Sequence, residues 1–164
     1  MRALVACSLL MALPAFAGAR GTVIMARGSW AAIDRGATCE AIGRSARVAA
    51  KGKVQAVAGF TFSADRRRWG EFHARLRRMP RAGATVMLRV GGQPFLLTTR
   101  GNYAWSESPR QDQAIIAALR NATGMTVEAR DGDGRRFIDP YGLEGAATAI
   151  DAAAAACAGK IQRR

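Results

Sequence analysis

The side chains best suited to chemistry in this sequence are seven arginines between positions 66 and 81. They are Arg66, Arg67, Arg68, Arg75, Arg77, Arg78 and Arg81. A guanidinium group presents a planar fork of N–H donors that binds phosphate, sulfate or carboxylate oxygens in pairs. Trp69 directly follows the first three arginines and adds an aromatic face beside them. The pattern predicts an anion-binding surface, and the alternative is a solvated strand edge whose charge discourages aggregation.

Two further groups suggest chemistry without completing it. Glu71 and His73 share one face of a predicted strand, as a general base and its partner would. No serine or cysteine nucleophile accompanies them, so we interpret His73 as a surface histidine. Tyr103 and Trp105 are expected to close one end of a β core, with a ligand-facing aromatic pair as the alternative. The motifs of serine hydrolases, zinc hydrolases and phosphate-binding loops are missing from the sequence, and we expect no enzymatic activity.

The segment Asp131–Gly134 begins like a calcium-binding loop. Such a loop needs an oxygen ligand at its fifth position, glycine at its sixth and glutamate at its twelfth. Those positions are Arg135, Arg136 and Gly142 in this chain. The segment is therefore predicted to be a hairpin turn, and we expect neither a metal nor a cofactor.

The first 19 residues have the pattern of a secretion signal. A positive start at Arg2 precedes an apolar stretch, and Ala15–Ala17 has the small-x-small form of a cleavage site. Cys7 follows a sequence that is similar to a lipid-attachment box, but six residues before it are too few for the usual apolar region. We therefore predict cleavage near Ala17 or Ala19 and export to the periplasm, where outer-membrane association is an open possibility.

Cleavage would leave two cysteines, Cys39 and Cys157, in an oxidising compartment. An even pair there predicts one disulfide, which would tie the first third of the domain to its last helix. The alternatives are a redox pair and a metal site. The sequence offers no C-x-x-C motif, and its single histidine, His73, lies on a predicted outer face.

The chain is strongly basic, with 25 Lys and Arg against 12 Asp and Glu and a net charge of +13. This balance predicts attraction to polyanions such as nucleic acid, lipopolysaccharide or an anionic membrane. Arginine far outnumbers lysine, as codon usage in a GC-rich genome also produces. The alternative is therefore a basic surface with no dedicated ligand. Export and the lack of a nucleic-acid recognition motif argue against nucleic acid.

Period-2 alternation of apolar residues predicts a mainly β fold, a sandwich or barrel-like antiparallel sheet of about eight short strands. The clearest case has Phe72, Ala74 and Leu76 facing inward. Two helices are expected. Ser108 caps the first and Pro109 occupies its first position. The second runs from about 145 to 158 and directs Cys157 toward the core.

We predict one globular domain over residues 20–159, followed by a basic tail at 160–164. The sequence as a whole resembles the invasion-associated locus B family of exported proteobacterial proteins, as a divergent member. The resemblance rests on the segments Trp30–Cys39, Gly124–Val127 and Tyr141–Ile150. Family members carry a further cysteine pair, which the region 93–105 lacks here, and a phenylalanine where this chain has Ala146. The resemblance implies an envelope-associated, non-enzymatic β-rich domain linked by name to host-cell invasion.

Together these features predict a periplasmic binding or interaction module without a membrane span. Its expected partners are anionic envelope components, either lipopolysaccharide or anionic lipid head groups, or else an envelope protein. The arginine-rich segment would be the contact face. The alternative function is a small periplasmic enzyme or enzyme inhibitor, with Tyr103, Trp105 or His73 near its pocket.

Overall fold

The computed structural model describes residues 21–161, which form ten strands and two helices. The predicted signal peptide and the last three residues of the predicted basic tail lie outside the described residues. The elements are β1 (Thr22–Arg27), β2 (Trp30–Asp34), β3 (Thr38–Arg44), β4 (Val57–Ser63), β5 (Trp69–Arg75), β6 (Val86–Val90), β7 (Gln93–Arg100), β8 (Tyr103–Trp105), α1 (Pro109–Arg120), β9 (Gly124–Arg130), β10 (Arg136–Gly142) and α2 (Ala146–Ile161).

All ten strands belong to one antiparallel sheet in the order β1-β2-β3-β4-β5-β8-β7-β6-β9-β10. The predicted mainly β class with two helices is confirmed, with ten strands instead of about eight. The sequence analysis missed β8, because a three-residue strand is too short to show alternation. β8 lies between β5 and β7 and joins the two halves of the sheet.

Alternation places one face of nearly every strand in a single core. Phe72, Ala74 and Leu76 are each fully buried, as predicted, and Asp131–Gly134 forms the turn between β9 and β10. Trp30 is the largest fully buried side chain and lies opposite Gly43 on the neighbouring strand. A Cβ at Gly43 would lie 2.5 Å from the Trp30 ring, so only glycine leaves room for the indole.

The sheet curls back on itself. β3 and β10 are seven strand spacings apart, which is about 34 Å in a flat sheet. Nevertheless, the Pro140 carbonyl accepts hydrogen bonds from the Ala46 N–H at 2.8 Å and the Ser45 hydroxyl at 2.9 Å. The Trp30 indole also donates to the Gly142 carbonyl at 2.8 Å. These contacts bring the end of β10 against the segment that follows β3.

Both helices begin as the sequence predicts. The Ser108 hydroxyl accepts a hydrogen bond from the Gln111 N–H at 3.3 Å, Pro109 opens α1, and Asn121 ends it. α2 packs across β1 to β4 and continues past its predicted end, so that Lys160 donates to the Asp34 carboxylate and the Gly36 carbonyl. Neither helix within residues 21–161 has the length and apolarity needed to cross a bilayer.

The buried face of α2 is made mostly of alanine. Cys157 of this helix lies at disulfide distance from Cys39 of β3, with 5.7 Å between their Cα atoms. The two cysteines have a sequence separation of 118. Both residues are fully buried. The predicted cysteine pair therefore links an early strand to the last helix.

Replacing both cysteines by alanine should lower the free energy of unfolding by about 4 kcal/mol, because the cross-link restricts the unfolded chain over a long loop. Urea unfolding of the exported protein measures this loss, and wild type in excess thiol is the matched control. Two free thiols in the mass spectrum of the exported protein, or equal stability of the variant, would contradict the assignment.

Candidate anion-binding site

The structure separates the seven predicted arginines into several places. Arg66, Arg67 and Arg68 form the turn between β4 and β5. Arg75 lies at the end of β5, where its guanidinium donates to the Gln55 carbonyl at 3.2 Å. The other three arginines, Arg77, Arg78 and Arg81, follow β5. The predicted residues therefore do not share a single face.

Two of these arginines are occupied by internal ion pairs. Arg77 Nε lies 2.6 Å from Asp139 Oδ1, and the Arg77 guanidinium lies 5.4 Å from the centre of the Phe137 ring. Arg78 lies 2.7 Å from the Asp131 carboxylate. Arg81 has a different environment and lines a pocket of about 390 Å³ with Arg130, among others.

Asp139 is the most deeply buried carboxyl group in the described residues. Burial raises the pKa of Asp139, and the adjacent Arg77 opposes that rise. The Tyr141 hydroxyl is also buried, without a hydrogen-bond partner among residues 21–161, and burial raises its pKa. Arg77 therefore supports the fold by neutralising a charge that would otherwise be isolated in the core.

The turn between β4 and β5 has a defined scaffold. The Ser63 hydroxyl donates to Asp65 Oδ1 at 2.5 Å and accepts from the Arg68 N–H at 3.0 Å. The Arg67 N–H donates to the same Asp65 oxygen at 3.0 Å. Arg66 adopts φ of +60°, a left-handed conformation that few residues other than glycine and asparagine adopt readily. These bonds fix the backbone of the turn that carries three consecutive arginines.

Trp69 supplies an aromatic wall next to this turn. Its ring packs edge-on against Phe62 with 5.3 Å between centroids, and the Arg66 guanidinium lies 4.9 Å from the Trp69 ring. The tryptophan is 38% exposed. A guanidinium group that stacks on an indole uses its flat face for the contact. Its N–H donors lie in the guanidinium plane and can still bind a ligand.

A pocket of about 390 Å³ separates this turn from the beginning of α1. One wall carries the three arginines, Trp69 and Glu71. The other wall is formed by the segment 106–109 with Asp112 and Gln113. Three guanidinium groups and a helix N-terminus therefore line one cavity, and both favour a negatively charged group. The carboxylates of Glu71, Glu107 and Asp112 line the same cavity and oppose it.

Asp112 is a site residue that the sequence analysis missed. It is buried, and its Oδ1 accepts hydrogen bonds from the Phe72 N–H at 2.8 Å and from the Ser106 hydroxyl. Burial raises the pKa of Asp112. Burial also raises the pKa of Glu71, with a further contribution from Asp112, while Arg68 at 3.8 Å opposes the rise. An aspartate in the first turn of a helix looks like an ordinary dipole partner in sequence, which hid its contact with β5.

The other predicted candidates lie on the outer face of the sheet. Tyr103 and Trp105 point outward, because Ala104 between them is the buried residue of β8, so the prediction that they close the core is wrong. Their rings stack with 5.9 Å between centroids. His73 lies on this outer face, as predicted, but it is only partly exposed. Its Nδ1 lies 3.3 Å from the Thr61 hydroxyl, and burial lowers its pKa.

No group of three or more His, Cys, Asp or Glu residues within 21–161 is arranged to hold a metal ion. Comparison of the chain with protein-family models, with curated proteins and with solved structures found no match.

Replacing Arg77 by methionine should lower the free energy of unfolding at pH 7 by about 3–5 kcal/mol, since it leaves the Asp139 carboxylate buried and unpaired. The loss should shrink as the pH falls. Without Arg77 the pKa of Asp139 rises further in the folded protein, so the folded state binds the proton more tightly than the unfolded state.

Urea unfolding between pH 4 and pH 7 measures both effects. Arg78→Met is the matched control, because its pair with Asp131 is partly exposed, and removing it should cost less than about 1 kcal/mol. Equal losses for the two variants would show that Arg77 has no special structural role.

Proposed function

We propose that this chain is an exported, non-enzymatic binding protein that takes an anionic group into the pocket between the β4–β5 turn and α1. The observation that supports this most strongly is the convergence of Arg66, Arg67 and Arg68 with Trp69 on one cavity. The cysteine pair at disulfide distance is compatible with export to an oxidising compartment. A place in the envelope and kinship with the invasion-associated locus B family remain predictions from the sequence.

The three guanidinium groups are available to a ligand. Arg66 has no carboxylate within 4.0 Å among the described residues. Arg67 lies 3.7 Å from Asp65 with 88% of its side chain exposed, and Arg68 lies 3.8 Å from Glu71 with 51% exposed. Exposed pairs at such distances contribute little energy, so an anionic ligand can displace them.

The ligand class follows from the size and polarity of the pocket. A volume of about 390 Å³ is in the range of small-molecule sites and accommodates a charged group with one sugar ring. Trp69, which is 38% exposed, offers an apolar surface beside which a sugar ring can pack. We therefore favour a phosphorylated carbohydrate, such as the head group of lipopolysaccharide, over a bare inorganic anion.

Catalysis is the second candidate function, and one observation favours it. Asp112 and Glu71 lie in the same pocket, and both have a raised pKa, which is a property of catalytic acids and bases. In that case Asp112→Asn would abolish turnover of a bound phosphate ester or glycoside and leave binding intact. In a pure binding protein no turnover is present to lose.

Replacing Arg66 by asparagine and Arg67 by glutamine should weaken binding of glucose 1-phosphate at least tenfold, because two charged donors are lost. Asparagine at 66 retains a residue that tolerates the left-handed backbone. Calorimetry and Trp69 fluorescence measure the affinity, with glucose as the uncharged ligand.

The matched control is Arg27→Gln with Arg100→Gln, two exposed arginines elsewhere that remove the same charge. It should change the affinity less than twofold. If wild type does not distinguish glucose 1-phosphate from glucose, or if the control weakens binding equally, the proposed site is wrong.

Binding of a sulfated sugar should strengthen as the pH falls from 7 to 5. Burial raises the pKa of Glu71, so this carboxylate takes up a proton at a higher pH than an exposed glutamate, which removes a repulsive charge and frees Arg68. A sulfate ester keeps its own charge over these pH values. Glu71→Gln should bind more tightly than wild type at pH 7 and show a flatter pH profile, and identical profiles would contradict the role of Glu71.

A further inference from the structure

A second surface combines exposed apolar side chains with positive charge. The loop between β3 and β4, residues 46–54, carries Val48 at 84% exposure and Val54 at 40%. Met79, directly after Arg78, is 60% exposed. The loop and the arginines after β5 enclose a groove of about 490 Å³, lined by Arg47 and Lys53 among others. Val48 and Val54 therefore line the same exposed groove as basic side chains, and apolar surface bordered by polar residues marks interaction sites.

The charge around this groove is of one sign. No acidic residue occurs between Glu40 and Asp65 in the sequence, and none occurs between Glu71 and Glu107. Arg47, Lys51 and Lys53 have no carboxylate within 4.0 Å among residues 21–161. The nearby Asp139 and Asp131 are each neutralised by an arginine.

The loop is held in place rather than collapsed onto the core. The Gln55 side-chain amide donates to the Ser45 and Arg47 carbonyls at 3.3 and 3.2 Å, and its oxygen accepts from the Ala49 N–H at 2.9 Å. Ser45 is in turn bonded to β10. The exposure of Val48 is therefore a fixed property of the fold.

We infer that the 46–54 loop and Met79 form a docking surface for an anionic phospholipid bilayer. The apolar side chains would enter the boundary between head groups and acyl chains, and Arg47, Lys51 and Lys53 would contact lipid phosphates. A free anion would gain nothing from the valines. An acidic protein would leave Val48 without a matching apolar layer, whereas a bilayer supplies charge and hydrocarbon together.

This surface is distinct from the proposed pocket. The turn at 64–68 and the 46–54 loop lie at opposite ends of the β4–β5 hairpin. The seven-residue strand β4 separates them by about 23 Å. A protein docked by the loop would hold its pocket away from the bilayer, facing the aqueous compartment. The two proposals can therefore fail separately.

Flotation with vesicles of phosphatidylcholine containing 30% phosphatidylglycerol tests the inference. Wild type should bind these vesicles and not pure phosphatidylcholine, and 0.5 M salt should release it. Val48→Ser with Met79→Ser should weaken binding at least fivefold. Val23→Ser with Leu96→Ser, another exposed apolar pair that lies elsewhere, should change it less than twofold.

Lys51→Gln with Lys53→Gln should also weaken vesicle binding at least fivefold, whereas Arg66→Asn with Arg67→Gln should leave it nearly unchanged. If the loop variants and their controls lost vesicle binding equally, binding would not depend on this surface, and the inference would be overturned. The inference would also be overturned if wild type did not bind the anionic vesicles. The same holds if it bound only envelope membranes that contain proteins and if proteolysis of those membranes abolished the binding. Glucose 1-phosphate binding by the Val48 and Met79 variant reports separately on the pocket.

Discussion

The attachment of α2 to β3 through Cys39 and Cys157 is the constraint on which the rest of the fold depends. The buried face of α2 consists largely of alanine, which lets the helix lie close to the sheet but buries little apolar area per residue. A cross-link between Cys39 and Cys157 adds to this packing, because it restricts the unfolded chain over most of the domain. With α2 fixed, Gly145 at its start lies against the Arg27 carbonyl, which leaves no space for a side chain there.

This arrangement leaves the β4–β5 hairpin as the central element between two cationic ends. Buried phenylalanines anchor the hairpin in the core, while its turn and the segments beyond its open end carry the arginines and lysines. Near the open end, Arg77 forms an ion pair with Asp139, and Arg78 forms one with Asp131. Arg66 at the turn and Arg47, Lys51 and Lys53 in the 46–54 loop have no carboxylate within 4.0 Å among the described residues, and the two proposed contacts use these groups.

Local patterns in the sequence were sufficient for most of the elements. Ser108 and Pro109 define the start of α1 because capping depends only on neighbours, and the alternation around Phe72 places β5 because strand burial has a period of two. The distribution of the arginines could not be predicted in this way. Residues 66 and 77 are close in sequence but are carried to opposite ends of a strand, and the partner of Arg77 lies 62 positions away.

Only one of the two walls of the site could be predicted from the sequence. Its cationic wall is a contiguous segment, whereas its opposite wall comes from the helix start some forty residues later, and Asp112 reaches β5 only in the folded chain. The central claim is that these two walls form one anion site. The most direct measurement is the set of backbone amide chemical shifts during a titration with glucose 1-phosphate. We expect changes confined to residues 66–69 and 106–113, with the 46–54 loop unaffected. Changes centred on the loop, or changes spread evenly over the basic surface, would contradict it.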